Sequence, residues 1–210
     1  MTDADFDKAL ISAAFAIAGR EGWTRMDVAA AAREAGLPLD RARARFPARA
    51  AVLMRFGVIA DQAAIGETAA EGPVRDRLFD MIMRRIDVLQ AHRAGMLALL
   101  RHLPADPPAA LLLTLLSRRS MDWLLAAAGV STHGVRGMLR VKGLLAVWLW
   151  TVRAWQRDES EDLGPTMAAL DTALQRAERA AGWLQGRTSR PAPPPPDPEP
   201  ELPLELPLTD

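Results

Sequence analysis

Arg41, Arg43 and Arg45, in the run RARARF that ends at Phe46, are the side chains whose type and spacing suit a definite chemistry. A guanidinium is a rigid fork of donors that matches phosphate oxygens. Arg41 and Arg45 stand four apart and share a helix face, while Arg43 points away from both. Residues 1 to 40 hold seven acids and four bases, whereas residues 41 to 60 hold five arginines and no acid. Phosphates flank a DNA major groove on both sides, so this spread suits a helix docked there. A helical hairpin with its arginines in water has the same pattern, and the residues alone leave both readings open.

Other chemistries find less support. Without cysteine there is no disulfide, thiolate zinc site or cysteine nucleophile. His92, His102 and His133 are not spaced for a shared metal. Asp158, Glu159, Glu161 and Asp162 lie in one loop with Ser160 but lack EF-hand spacing. They read as a solvated loop, with Asp162 near the start of the next helix. Gly134 to Gly137 follows no strand and is no phosphate loop. Nothing resembles a nucleophile elbow. We expect no catalytic residue, no metal and no cofactor.

The arginines need a scaffold, and the flanking residues describe one. Thr24 can cap a helix, with Asp27 three residues on to return the bond. Gly36 stands where a left-handed C-cap belongs, and Pro38 suits the first turn of a second helix, to about Phe46. This is a helix-turn-helix with a basic second helix. A first helix, roughly Asp5 to Glu21, buries Leu10, Ala14, Phe15, Ile17 and Ala18 and stops at Gly22. A longer helix from Ala48 to about Ala69 leads out, and Glu71-Gly72-Pro73 breaks it.

The remainder is helical by period. Leu78, Phe79, Ile82, Ile86 and Leu89 recur on one face, and a short piece covers Ala94 to Arg101. Further helices run from Pro108 to Ala128, from a Ser131 or Thr132 cap to about Gln156, and from Pro165 to about Leu184. No alternating β-branched run occurs, so the chain is all-α with about nine helices, some six of them C-terminal. Residues 1–47 make the head and 48–186 a larger domain; 187–210 is a tail with nine prolines between Pro191 and Pro207. Such a tail buries too little to offset its ordering entropy.

Net charge is zero, so any nucleic-acid affinity must come from a local patch. The acidic N-terminus lacks a secretory pattern. The apolar stretches near Leu111 and Val147 fall well short of the about twenty residues a bilayer needs. A cytoplasmic protein is expected.

The segment from Leu10 to Leu53 resembles the DNA-binding region of TetR-family transcriptional regulators. Gly22-Trp23, the run Ala31-Ala32-Arg33-Glu34-Ala35-Gly36-Leu37, and Arg43 through Phe46 to Arg49 carry the likeness. It implies a TetR-like fold and a homodimer on a palindromic DNA operator. By the match, Phe46 is core, Arg43 takes the place of a phosphate-binding tyrosine and Arg49 that of a lysine. Arg41 and Arg45 are left to face the groove. The chain departs from the pattern in having no tyrosine, with Pro38 at the second helix's start and Leu39 where a polar residue is usual.

A second resemblance covers Trp155 to Asp171. The spacing Asp158, Ser160, Asp162, Thr166, Leu170, Asp171 is similar to a signature of the lipid-binding accessory proteins of ubiquinone biosynthesis, which are also TetR-like. It implies, as an alternative, an isoprenoid-binding protein with a relic helix-turn-helix, whose partners are quinone-biosynthesis enzymes and membrane lipid. That family's aromatic upstream run and amphipathic terminal helix have no counterpart here.

Two further surfaces follow. Val147, Trp150 and Ala154, with Ala169, Leu170, Ala173, Leu174 and Ala177, supply large and small apolar groups at helical spacing for a dimer interface. Phe79, Met83, Ile86 and Met96, with Leu112, Leu116, Trp123 and Trp148, recur on faces that could turn toward one centre. They would line a pocket for an apolar or amphipathic small molecule, with Arg119 and Arg140 as anchors.

Overall fold

The helical periods of the sequence are realised as nine α-helices in the computed structural model, which describes residues 1–66 and 72–186, with side chains to residue 180. They are α1 (Asp3–Glu21), α2 (Val28–Glu34), α3 (Leu39–Arg45), α4 (Arg49–Gly66), α5 (Val74–Gln90), α6 (Arg93–His102), α7 (Pro107–Ala127), α8 (Gly134–Trp155) and α9 (Gly164–Gly186). Short 3-10 turns cover Trp23–Arg25 and Leu103–Ala105, and there is no strand among the described residues. The expected end of α4 past Gly66 and the proline-rich tail lie outside the described residues.

Local signals explain most boundaries, and two caps differ from expectation. Thr2 and Asp5 form a capping box, so α1 begins two residues before Asp5. Thr24 does not cap α2; it lies inside the 3-10 turn, and the Asp27 side chain accepts from Ala30 N at 3.1 Å instead. Neither Ser131 nor Thr132 caps α8, whose N-cap is His133, without a side-chain bond. There the backbone folds so tightly that a Cβ on Gly137 would lie 2.0 Å from the Thr132 carbonyl.

α1, α2 and α3 form a small head around Phe6, Leu10, Ala14, Ala32, Ala42 and Phe46, all within 1% of full burial. α4 leads from the head into a body in which it packs on α5 and α7, while α8 and α9 pair with each other. α6 lies across α1. At that crossing a Cβ on Gly95 would meet Phe15 O at 2.1 Å, and one on Gly19 would meet the Ala94 Cβ at 2.9 Å. Backbone therefore touches backbone. Beside it the His92 ring stacks on Phe15 (centroids 5.5 Å apart) and meets Phe56 edge-on. Burial there pushes His92 below its ordinary pKa.

Arg93 ties α6 to the far end of α8. It donates to Trp155 O (3.1 Å) and Asp158 O (2.7 Å), and its guanidinium lies over the Trp155 ring at 4.9 Å. A cation at a helix C-terminus satisfies carbonyls that lack helical partners. Deeper in the body, Arg85 of α5 is ion-paired with Asp61 of α4 and lies over Trp148 of α8, while Ser120 of α7 donates to Asp61 at 2.8 Å.

Candidate nucleic-acid interface

The turn between α2 and α3 is a full Schellman motif. Leu37 N donates to Ala32 O (2.8 Å) and Gly36 N to Arg33 O (3.1 Å), with Gly36 at φ +64°. Glycine enters that conformation without a steric penalty. Leu37 is buried just past the turn, which fixes the entry angle of α3. Pro38 is the N-cap of α3, one position earlier than expected, and its carbonyl accepts from Ala42 N at 3.0 Å.

α3 seats Ala42 and Phe46 in the head core. Its arginines divide differently from the expected pattern. Arg41 and Arg45, expected at the groove, both turn back onto α1. Arg45 Nε and Nη2 donate to Asp7 Oδ1 and Oδ2 at 2.7 and 2.8 Å, and its Nη1 reaches Asp3 at 2.6 Å. Arg41 pairs with the other Asp3 oxygen and lies over the Phe6 ring at 4.6 Å. Asp3 and Asp7 are one helical turn apart, so α1 presents them as a pair to the matching pair on α3. The Arg41 bond, followed by Arg45, holds the Asp3 carboxyl below its usual range. The bond that Arg45 donates to Asp7 is the chief cause that raises the Arg45 pKa.

Arg43 is left on the solvent side, where its Nη1 donates to Pro47 O at 2.8 Å. Leu39, Asp40 and Ala44 are exposed beside it. Arg49, in the first turn of α4, donates to Thr24 O (2.9 Å) and Trp23 O (3.3 Å). It thereby docks the 3-10 turn, whose Thr24 and Arg25 side chains are also exposed. Those two were not singled out in the sequence, where Thr24 has the look of a cap.

The expected dimer residues separate by burial. Val147, Leu170 and Leu174 are buried inside the protomer, where α8 packs on α9, so they offer no surface to a second chain. Ala154, Ala169, Ala173 and Ala177 are half-buried. Trp150 is 53% exposed, as is its neighbour Leu149, and Met167 of α9 is exposed too.

The expected pocket residues also scatter. Ile86, Met96 and Trp148 are buried in the core, and Phe79, Met83, Leu112 and Leu116 pack against it. Trp123 is 57% exposed. A cavity of about 500 Å3 opens elsewhere, between α5, the end of α7, α8 and α9, and none of those eight lines it. Of the two expected anchors Arg140 lines it, whereas Arg119 is exposed and does not.

The Asp158 to Asp171 run has a structural account. Asp158 Oδ2 accepts from Thr166 N and Oγ1 (2.9 and 2.6 Å), and Oδ1 from Ser160 N and Oγ (3.1 and 2.5 Å). Asp158, not Asp162, closes the first turn of α9; Asp162 accepts only from Gly164 N. Burial would raise the Asp158 pKa, but these bonds outweigh it and hold the carboxyl at about 2. Asp171 pairs with Arg75 of α5.

Among the described residues no cluster of His, Asp or Glu is arranged to hold a metal, and no helix is long and apolar enough to cross a membrane. No family model and no curated protein matches the sequence. Solved structures do. A TetR transcriptional regulator from Nitrosomonas europaea is 20% identical, with a TM-score of 0.67 over 82% of this chain and 98% of that one. A TetR-family regulator from Streptomyces coelicolor is also 20% identical, with a TM-score of 0.60 and 89% of each chain covered. The fold is TetR-like.

Proposed function

We propose that the chain is a dimeric DNA-binding transcriptional regulator of TetR type, with an effector pocket for an apolar or amphipathic small molecule. One observation carries the DNA reading: α3 is clamped to α1 through Arg41 and Arg45, which leaves a narrow solvent face of Leu39, Asp40, Arg43 and Ala44. Short side chains on a rigid helix allow close entry into a major groove. Leu39 and Ala44 suit thymine methyl groups, and Asp40 suits the amino group of cytosine. Arg43 and Arg49 flank that face for phosphates, with Thr24 and Arg25 beside Arg49.

A palindromic operator requires two heads roughly 34 Å apart, and therefore a self-complementary surface. Leu149 and Trp150 of α8, with Met167 of α9, supply exposed apolar area for it. Fluorescence anisotropy with the DNA upstream of the chain's own gene is the test, begun at low salt. Binding by a dimer, with a palindrome protected in footprinting, is the expected result. Absence of binding even at low salt, where non-specific association should register, rejects the reading.

A further inference from the structure

The cavity between α5, α7, α8 and α9 has a defined chemical character. Leu78, Leu125, Leu139, Leu144 and Leu174 give it apolar walls. Its volume, about 500 Å3, lies in the range of small-molecule sites. Charge gathers on the α8 wall, where Arg136 and Arg140 stand one helical turn apart. Among the described residues Arg136 has no hydrogen-bond or ion-pair partner, and Arg140 gives a single bond, Nη1 to Ser131 O at 2.9 Å. Opposite them, Arg75 is neutralised by Asp171, and Glu178 of α9 is the one acid in the lining among the described residues. Two guanidiniums without an ion-pair partner and one carboxylate leave the rim with a single net positive charge, which balances a monoanion better than a dianion.

We infer that this cavity binds a single-chain amphiphile with a carboxylate head, the head on Arg136 and Arg140 and the aliphatic chain against the leucine walls. The inference rests on the effector part of the proposed function and is independent of DNA binding. In this site Gly143 is open: a Cβ built there meets nothing within 4 Å, although the residue lines the cavity. A large side chain at 143 can therefore fill the site without disturbing the helix that carries it.

Calorimetric titration of the full chain, without DNA, tests the site with dodecanoate, dodecanol and dodecyl phosphate. Dodecanoate should bind one per chain. The double variant Arg136→Gln/Arg140→Gln should weaken dodecanoate by about tenfold or more and leave dodecanol unchanged. Gly143→Phe should abolish both while helicity and melting temperature hold. No binding by the wild-type chain overturns the inference, as does undiminished binding by Gly143→Phe. Tighter binding of dodecyl phosphate overturns the carboxylate assignment. Binding that appears only after residues 187–210 are removed overturns it too, since the chain's own tail would then be the occupant. A protein that binds operator DNA but none of these amphiphiles loses this site alone.

Discussion

Arg45 closes on Asp7 through two parallel hydrogen bonds, Nε to Oδ1 at 2.7 Å and Nη2 to Oδ2 at 2.8 Å. This bidentate geometry fixes the roll of α3 about its own axis as well as its distance from α1. Asp7→Ala should therefore loosen the head, lowering the melting temperature by about 5 °C. The salt dependence of DNA binding, measured well below the transition, should not change.

Arg43→Ala and Arg49→Ala should act the other way. Each removes one proposed phosphate contact, so the slope of log affinity against log salt should fall by about one unit per variant. Arg41→Ala, tied to Asp3, should leave that slope alone. Anisotropy titrations from low to moderate salt separate the three.

Much of this architecture was legible in the sequence, and the illegible part has a physical reason. Gly36, Phe46 and the apolar faces of α1 and α5 rest on local rules of turn geometry and period, and the structure follows them. The roles of Arg41 and Arg45 depend on acids 38 and 42 residues upstream, whose facing is set only when α1 and α3 pack. Counting charge by segment separated partners that the fold unites. The cavity was harder still, since composition reports which residues are apolar and not where packing leaves a gap. Trp123 stays in solvent, while the gap opens beside Gly143, near the middle of α8.

Gly95→Ala and Gly57→Ala should differ in sign. A Cβ at Gly95 would lie 2.1 Å from Phe15 O, so backbone must move, at a cost of about 3 kcal/mol or more. At Gly57, inside α4, a Cβ meets nothing within 4 Å, and alanine should stabilise by roughly 0.5–1 kcal/mol through helix propensity. Urea unfolding measures both.

Asp158 should give the protein an acid-sensitive joint. Its folded pKa of about 2 lies below the unfolded value of about 4, so the carboxylate adds stability that is fully present above pH 4. That contribution is lost as pH falls from about 4 toward 2. Asp158→Ala should remove about 1–2 kcal/mol at pH 7 and flatten this part of the profile. Paired urea titrations at pH 7 and pH 3 check the sign.

Trp150→Glu places a charge on the most exposed tryptophan of α8 without entering the protomer core. If this face joins two chains, the variant should sediment as a monomer at micromolar concentration, keep its helicity and lose cooperative operator binding. A wild-type monomer would remove the dimer from the proposed function.

The Gly95–Phe15 crossing has a mechanical consequence. Most helix pairs meet through a layer of side chains whose rotamers can absorb small shifts. Here no such cushion exists, because the backbones of α1 and α6 are in contact and Ala94 fills the space at Gly19. Arg93 anchors the start of the same helix to the end of α8. A displacement of the α8 terminus would therefore reach α1 through Arg93 and a contact that side-chain rotamers do not soften.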